Sequence, residues 1–163
     1  MSRIFFVVLL SLLIAACGGR SDRSEAREYI DALAPFLLPA ANAKSEWAEF
    51  QQRLSAAPAD IPREESRALL IEQIDLAKKW LSVTEGTLVR MQTIRPPDQC
   101  RDVHQTTLDS LRVLSDGVKL IIRWSDAALD GRPNPEDLAQ SGRLLSESDR
   151  IGLQAESQIA SCR

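Results

Sequence analysis

The chain has 163 residues and a formal net charge of −3 at pH 7, so it offers no basic field for nucleic acid or anionic lipid headgroups. Aromatic residues make up only 5% of it, and no stretch shows the sustained apolar–polar alternation of a half-buried strand. A length typical of one domain and a composition rich in helix formers predict a single all-α domain.

The N-terminus has the features of an export signal. Arg3 precedes the almost wholly apolar run 4–13, which is shorter than the roughly 20 residues that a membrane-spanning helix needs. The run Ile14-Ala15-Ala16-Cys17 then places small residues before a cysteine. Together these residues resemble the signal peptide and lipobox of bacterial lipoproteins. The alternatives are an ordinary secretory signal and a plain N-terminal anchor helix.

The resemblance implies that residues 1–16 are removed and that Cys17 becomes the lipidated N-terminus. Several acyl chains on one residue anchor a protein effectively permanently, whereas a single chain binds membranes only marginally. By the sorting preference of lipoproteins, Gly18 rather than aspartate after the cysteine implies the outer membrane, with the protein facing the periplasm. Residues 17–23 would then form a short flexible tether, followed by a domain over residues 24–163.

Proline and glycine divide the remaining chain into four segments, with breaks at 58–62, 95–98 and 131–135. Each segment has apolar residues at helical spacing, which predicts four helices joined by short turns. Matched helices of this kind indicate an elongated up-down-up-down four-helix bundle. Pro35 and Pro39 lie inside the first segment and predict that its helix is kinked or broken there.

The apolar stripes identify the expected core, and the fourth helix has the thinnest stripe. Gly131 is expected to end the third helix, and Asn134 before Pro135 is expected to begin the fourth. The predicted inward positions are Ala26, Ile30, Leu33, Leu37, Trp47, Phe50, Leu54, Leu70, Ile74, Ala77, Leu81, Thr84, Leu88, Met91, Leu108, Leu111, Leu114, Val118, Ile121, Leu138, Leu145, Ile151, Ala155 and Ile159.

The two other cysteines are placed symmetrically about the last turn. Cys100 lies 31 residues before Gly131, and Cys162 lies 31 residues after it. In two antiparallel helices that turn at Gly131, the cysteines would reach the same level. Because disulfides persist in exported proteins, we predict a bond between Cys100 and Cys162. The alternative is a pair of unrelated buried thiols.

His104 is the only histidine in the chain and lies four residues after Cys100, on the same face of a helix. A metal site made from His104 and the two cysteines would need reduced thiolates and a fourth ligand that is not evident. Met91 is expected near His104 across the Pro96-Pro97 turn, in an arrangement similar to the axial ligands of haem in some helical bundles. A single methionine on an apolar stripe usually fills the core, so we expect no metal and no cofactor.

No catalytic motif occurs in the sequence. One histidine cannot supply the two Glu-x-x-His pairs of a di-metal bundle, and no glycine-rich phosphate loop or Gly-x-Ser-x-Gly turn is present. We therefore expect a non-enzymatic, membrane-anchored helical module that binds an envelope protein or a cell-wall component, and not nucleic acid. The alternative is a carrier of a small ligand, metal or haem with its site inside the bundle.

Replacing Cys17 with serine tests the lipid anchor. We expect the C17S protein to leave the membrane fraction or to remain unprocessed, because serine has no sulfur to carry the lipid. Membrane fractionation and intact-mass measurement check this, and the wild-type mass should correspond to residues 17–163 plus lipid. A wild-type mature chain that starts elsewhere and carries no lipid would contradict the prediction.

Overall fold

The computed structural model describes residues 22–58, 60 and 62–162, and this part of the chain is all-helical. A short 3₁₀ turn, Asp98–Cys100, directly precedes the third α-helix. The predicted all-α class and the four predicted helices are confirmed, and the helices pack against one another. Their bounds are Asp22–Ala56 for α1, Arg63–Thr93 for α2, Arg101–Leu129 for α3 and Pro135–Cys162 for α4.

The predicted signal peptide and Cys17 lie outside the described residues. Helix α1 begins at Asp22, so the last two residues of the predicted tether are helical. Across the described part of the chain, none of the helices combines the length and the hydropathy needed to cross a membrane.

Helix α1 continues through both of its internal prolines. Pro35 and Pro39 lie on its exposed side, where water can bond the carbonyl groups that lose an amide partner. On the side facing α2, the Thr87 hydroxyl oxygen lies 3.0 Å from the carbonyl oxygen of Phe36 and 2.9 Å from that of Val83. The predicted break therefore does not occur within α1, and the predicted kink stays a prediction.

The turn between α3 and α4 follows the predicted end signals. Gly131 has a φ of 72°, a left-handed conformation that favours glycine. The backbone amide of Arg132 donates to the carbonyl oxygen of Ala127 at 2.8 Å, which satisfies a carbonyl at the end of α3. The side-chain oxygen of Asn134 accepts the amide hydrogen of Glu136 at 3.1 Å, and so caps the start of α4. Both predicted boundaries are confirmed.

Most of the buried apolar residues fall into two clusters. The first, called here the cysteine cluster, contains Ala26, Tyr29, Leu33, Met91, Cys100, Val103, Leu108, Leu111, Ala155 and Cys162. The second, called here the tryptophan cluster, contains Ala43, Trp47, Phe50, Ala77, Trp80, Val118 and Ile121. In the tryptophan cluster the ring centroids of Trp47 and Trp80 are 5.7 Å apart, which is a favourable distance for two aromatic rings.

One predicted core position is wrong. Leu138 is 45% exposed, whereas every other residue in the predicted stripes is buried or half-buried. The inward position in the first turn of α4 belongs to Asp137, whose carboxylate accepts a hydrogen bond from Nε of Arg123 at 2.7 Å. Because Asp137 faces α3 to make this ion pair, the next residue along the helix turns outward.

Small residues allow α3 and α4 to lie close together. The hydroxyl of Ser110 donates to the carbonyl oxygen of Ser148 at 2.9 Å. In return, the hydroxyl of Ser148 donates to the carbonyl oxygen of Ser110 at 3.0 Å. A Cβ atom added at Gly117 would lie 3.2 Å from Cβ of Leu144 and from Cδ2 of Leu145. A larger residue at Gly117 would therefore push against α4.

A disulfide joins Cys100 and Cys162 in the structure. Their Cα atoms are 4.5 Å apart, and neither residue is exposed to solvent. The bond links the residue before α3 to the last residue of α4 and spans a sequence separation of 62 residues. Closing a loop of this length removes much of the conformational freedom of the unfolded chain.

Removing the disulfide should destabilise the domain strongly. For a C100A/C162A variant we expect the free energy of unfolding to fall by about 4 kcal/mol, because the unfolded chain regains its loop entropy. Thermal denaturation should show a Tm lower by on the order of 10 °C. As a control, a reducing agent should not change the Tm of the variant. Two free thiols in wild-type protein purified from the envelope, detected by non-reducing peptide mapping, would contradict the bond.

Candidate functional site

Tyr29 of α1 and His104 of α3 form a buried polar pair. The Tyr29 hydroxyl oxygen lies 2.7 Å from Nδ1 of His104, although the two residues are 75 positions apart in the sequence. Their exposed fractions are 5% and 7%. His104 lies in the first turn of α3, four residues after the disulfide-bonded Cys100, so the cross-link holds its helix in place. The pair therefore connects the first part of α1 to a covalently fixed part of the domain.

Burial sets the protonation of this pair. It lowers the pKa of His104 below its ordinary value of 6.5, because the charged imidazolium loses its hydration. It also raises the pKa of the Tyr29 phenol well above its ordinary value of 10.0. At neutral pH the phenol is therefore protonated and the imidazole is neutral. The tautomer of the neutral imidazole sets the direction of their hydrogen bond: the Tyr29 hydroxyl donates when the ring hydrogen is on Nε2, and Nδ1 donates when the hydrogen is on Nδ1.

The predicted ligand candidates lie in the same region but do not form a metal site. Met91 is fully buried in the cysteine cluster, and Nδ1 of His104 is occupied by the Tyr29 hydroxyl. The sulfur atoms of Cys100 and Cys162 bond to each other and so are not free thiolates. Within the described residues, no three His, Cys, Asp or Glu side chains come together as metal ligands. That the protein carries no cofactor stays a prediction.

An open hollow of about 760 Å³ lies between the first turns of α1 and the connection from α2 to α3. Tyr29 lines this hollow, so the same residue that forms a hydrogen bond with His104 also faces this surface. The other lining residues are Glu25, Glu28, Ala32, Ile94, Arg95, Pro96, Pro97, Asp98 and Gln99. The lining therefore combines apolar and aromatic side chains with charged and polar ones.

Tyr29 is not among the inward positions predicted from the sequence. Tyr29 lies three residues after Ala26 and four before Leu33, so it belongs to the same helical stripe, whereas the inward residue predicted for that turn is Ile30. The structure buries Tyr29 and leaves Ile30 half-buried. The available signal was that Tyr29 is the only tyrosine in the chain and stands on an inward helix face.

Comparison with known proteins identifies no relative whose role could be carried over to this site. No protein family, no curated protein and no solved structure matches the chain significantly. A role for the protein is therefore inferred from the hollow and from the residues around it.

The Tyr29–His104 pair should make stability depend on pH. The unfolded chain takes up a proton on His104 near pH 6.5, whereas the folded protein does so only at lower pH. The stability that depends on a neutral His104 is therefore fully present above pH 6.5 and is lost as the pH falls through the lowered pKa of His104. We expect the free energy of unfolding, measured by urea titration, to fall more steeply below pH 6.5 in the wild type than in H104Q.

A Y29F variant is the matched control for this experiment. It should lose about 1 kcal/mol at pH 8, because the hydrogen bond to His104 is removed. It should keep the acid sensitivity of the wild type, because the imidazole remains buried. Identical pH profiles for the wild type and H104Q would show that His104 does not cause the acid sensitivity.

Proposed function

We propose that this chain is a lipid-anchored cell-envelope protein whose helical domain binds another envelope protein without catalysing a reaction. The observation that supports this most is the hollow of about 760 Å³ beside the first turns of α1. Concave surfaces with a mixed apolar and polar lining are common binding sites. The tether from Cys17 joins the domain at this same helix, so a partner in the hollow would lie close to the membrane.

The state of the reactive side chains also favours binding over catalysis. His104 is buried and hydrogen-bonded to Tyr29, and Cys100 and Cys162 form a disulfide with each other. Asp137 is buried against Arg123, whose hydrogen bond lowers the pKa of that carboxyl. These groups stabilise contacts between helices, whereas the carboxylates of Glu25 and Glu28 in the lining of the hollow are exposed to a partner.

We further propose that the helices run alternately up and down in an elongated bundle. Helix α1 has 35 residues, which corresponds to about 50 Å at the usual helical rise. Contacts between consecutive helices support the alternation, because residue numbers rise along one helix as they fall along its neighbour. These contacts pair Arg53 with Glu72 and Glu46 with Lys79, then Gln73 with Ser125 and Glu85 with Lys119, then Ser110 with Ser148 and Arg123 with Asp137.

Site-specific photo-crosslinking in intact cells tests the binding role. A photo-reactive residue at Ala32, which lines the hollow, should cross-link to a distinct envelope protein. The same residue at Ala139 is the matched control, because Ala139 is also an exposed helical alanine but lies about 35 Å along α4 from Cys162. Immunoblotting and mass spectrometry of the cross-linked species provide the measurement.

The outcomes separate the alternatives. A cross-link from Ala139 alone would keep the binding role but would move the binding surface away from the hollow. No cross-link from either position would contradict the binding role. A bound chromophore or a stoichiometric metal in the purified protein, seen by absorbance and elemental analysis, would instead favour the carrier function.

A further inference from the structure

We propose that the hollow beside Tyr29 binds a positively charged, partly apolar peptide segment of the partner protein. This inference rests on the proposed binding function and adds the chemistry of the partner. It depends on three features of the lining: apolar and aromatic side chains that are held in place, an excess of carboxylates, and an open shape.

The apolar and aromatic side chains in the lining are held in place. Tyr29 is fixed by its hydrogen bond to His104, and Ile94 packs against the cysteine cluster. Pro96 and Pro97 follow Ile94 in the connection to α3, and proline rings restrict the backbone to few conformations. A surface that is already ordered loses little conformational entropy when a ligand binds. These lining residues therefore suit contact with apolar side chains of a ligand.

The charged lining favours a cationic ligand. Glu25 and Glu28 are exposed carboxylates one helical turn apart on α1, and neither forms an ion pair with another described residue. Asp98 also lines the hollow, but its carboxylate lies 2.6 Å from the guanidinium of Arg101. Among the described residues of the lining, Arg95 is the only basic one. Charge complementarity therefore selects lysine or arginine side chains on the ligand.

The shape and position of the hollow favour a peptide over other cations. It is open to solvent, whereas sites for small molecules usually enclose most of the ligand surface. An extended segment can cross an open surface, place apolar side chains against the apolar lining residues and reach the carboxylates with its basic ones. Anionic lipid headgroups, the other surface near a tethered domain, would be repelled by Glu25 and Glu28.

Calorimetric titration of the full-length lipidated protein in detergent provides the test, with empty micelles as the blank. The probe is an octapeptide of alternating lysine and leucine, and the comparison peptides carry glutamate in place of lysine or serine in place of leucine. We expect the lysine–leucine peptide to bind more tightly than either comparison peptide. We also expect its affinity to decrease as the salt concentration rises.

Charge-neutral variants assign the binding to the hollow. E25Q/E28Q should weaken binding of the lysine–leucine peptide about tenfold, because two exposed ion pairs are lost. E64Q/E65Q is the matched control, since it removes two exposed carboxylates from the first turn of α2, about 45 Å along that helix from Ile94. The control should bind like the wild type. A third variant, A32W, fills the hollow without changing its charge and should also reduce the affinity.

Equal affinities for E25Q/E28Q and E64Q/E65Q would overturn the proposal, as would equal binding of the glutamate peptide. Loss of a dimer on E25Q/E28Q substitution, measured by light scattering, would overturn it as well, because the occupant would then be a second copy of this chain. The proposed function is tested separately by the cross-linked partner. If E25Q/E28Q cross-links to the same envelope protein from Ala32 as strongly as the wild type, the binding role stands and the cationic-peptide inference fails.

Discussion

The close pairing of α3 with α4 is the contact on which the rest of the domain depends. A disulfide joins the start of α3 to the end of α4, and the Arg123–Asp137 ion pair joins the end of α3 to the start of α4. Reciprocal serine hydrogen bonds connect the helices between these points. Helix α4 has few large apolar residues facing inward, so hydrophobic burial alone would hold it only weakly against α3. These linkages therefore supply much of what keeps α4 in place. Helices α1 and α2 complete the two apolar clusters around this pair.

The fold could be predicted largely because its signals are local. Gly131 ends a helix through its own backbone conformation, and Asn134 caps the next one two residues away, so neither depends on distant contacts. The disulfide could be predicted because both cysteines lie at equal distances from that turn. The exposure of Leu138 and the continuity of α1 through its prolines were not predicted, because each depends on tertiary contacts. An ion pair takes the inward position next to Leu138, and α1 remains helical through Pro35 while its other face is packed.

The candidate site was less predictable than the fold. Hydrophobic spacing identifies the inward side of a helix but does not identify the residue on another helix that it meets. Tyr29 and His104 meet only because α1 and α3 have a particular rotation and height relative to each other. The hollow likewise depends on how the connection over residues 94–99 lies against α1, and two prolines in a turn do not specify that. Residue types alone therefore indicated His104 and Met91 as ligand candidates, whereas the candidate site in the structure is the surface beside Tyr29.

The positions of the aromatic residues divide the domain into two spectroscopic regions. Trp47 and Trp80 contact each other in the tryptophan cluster, and the third tryptophan, Trp124, is half-buried in the last part of α3. Tyr29, the only tyrosine of the chain, belongs to the cysteine cluster and faces the hollow. Tryptophan emission therefore follows the order of the tryptophan cluster and of the last part of α3, and tyrosine absorbance follows that of the cysteine cluster. Local opening around the hollow would change the tyrosine signal while the tryptophan emission stayed native, so the two signals would follow different unfolding curves.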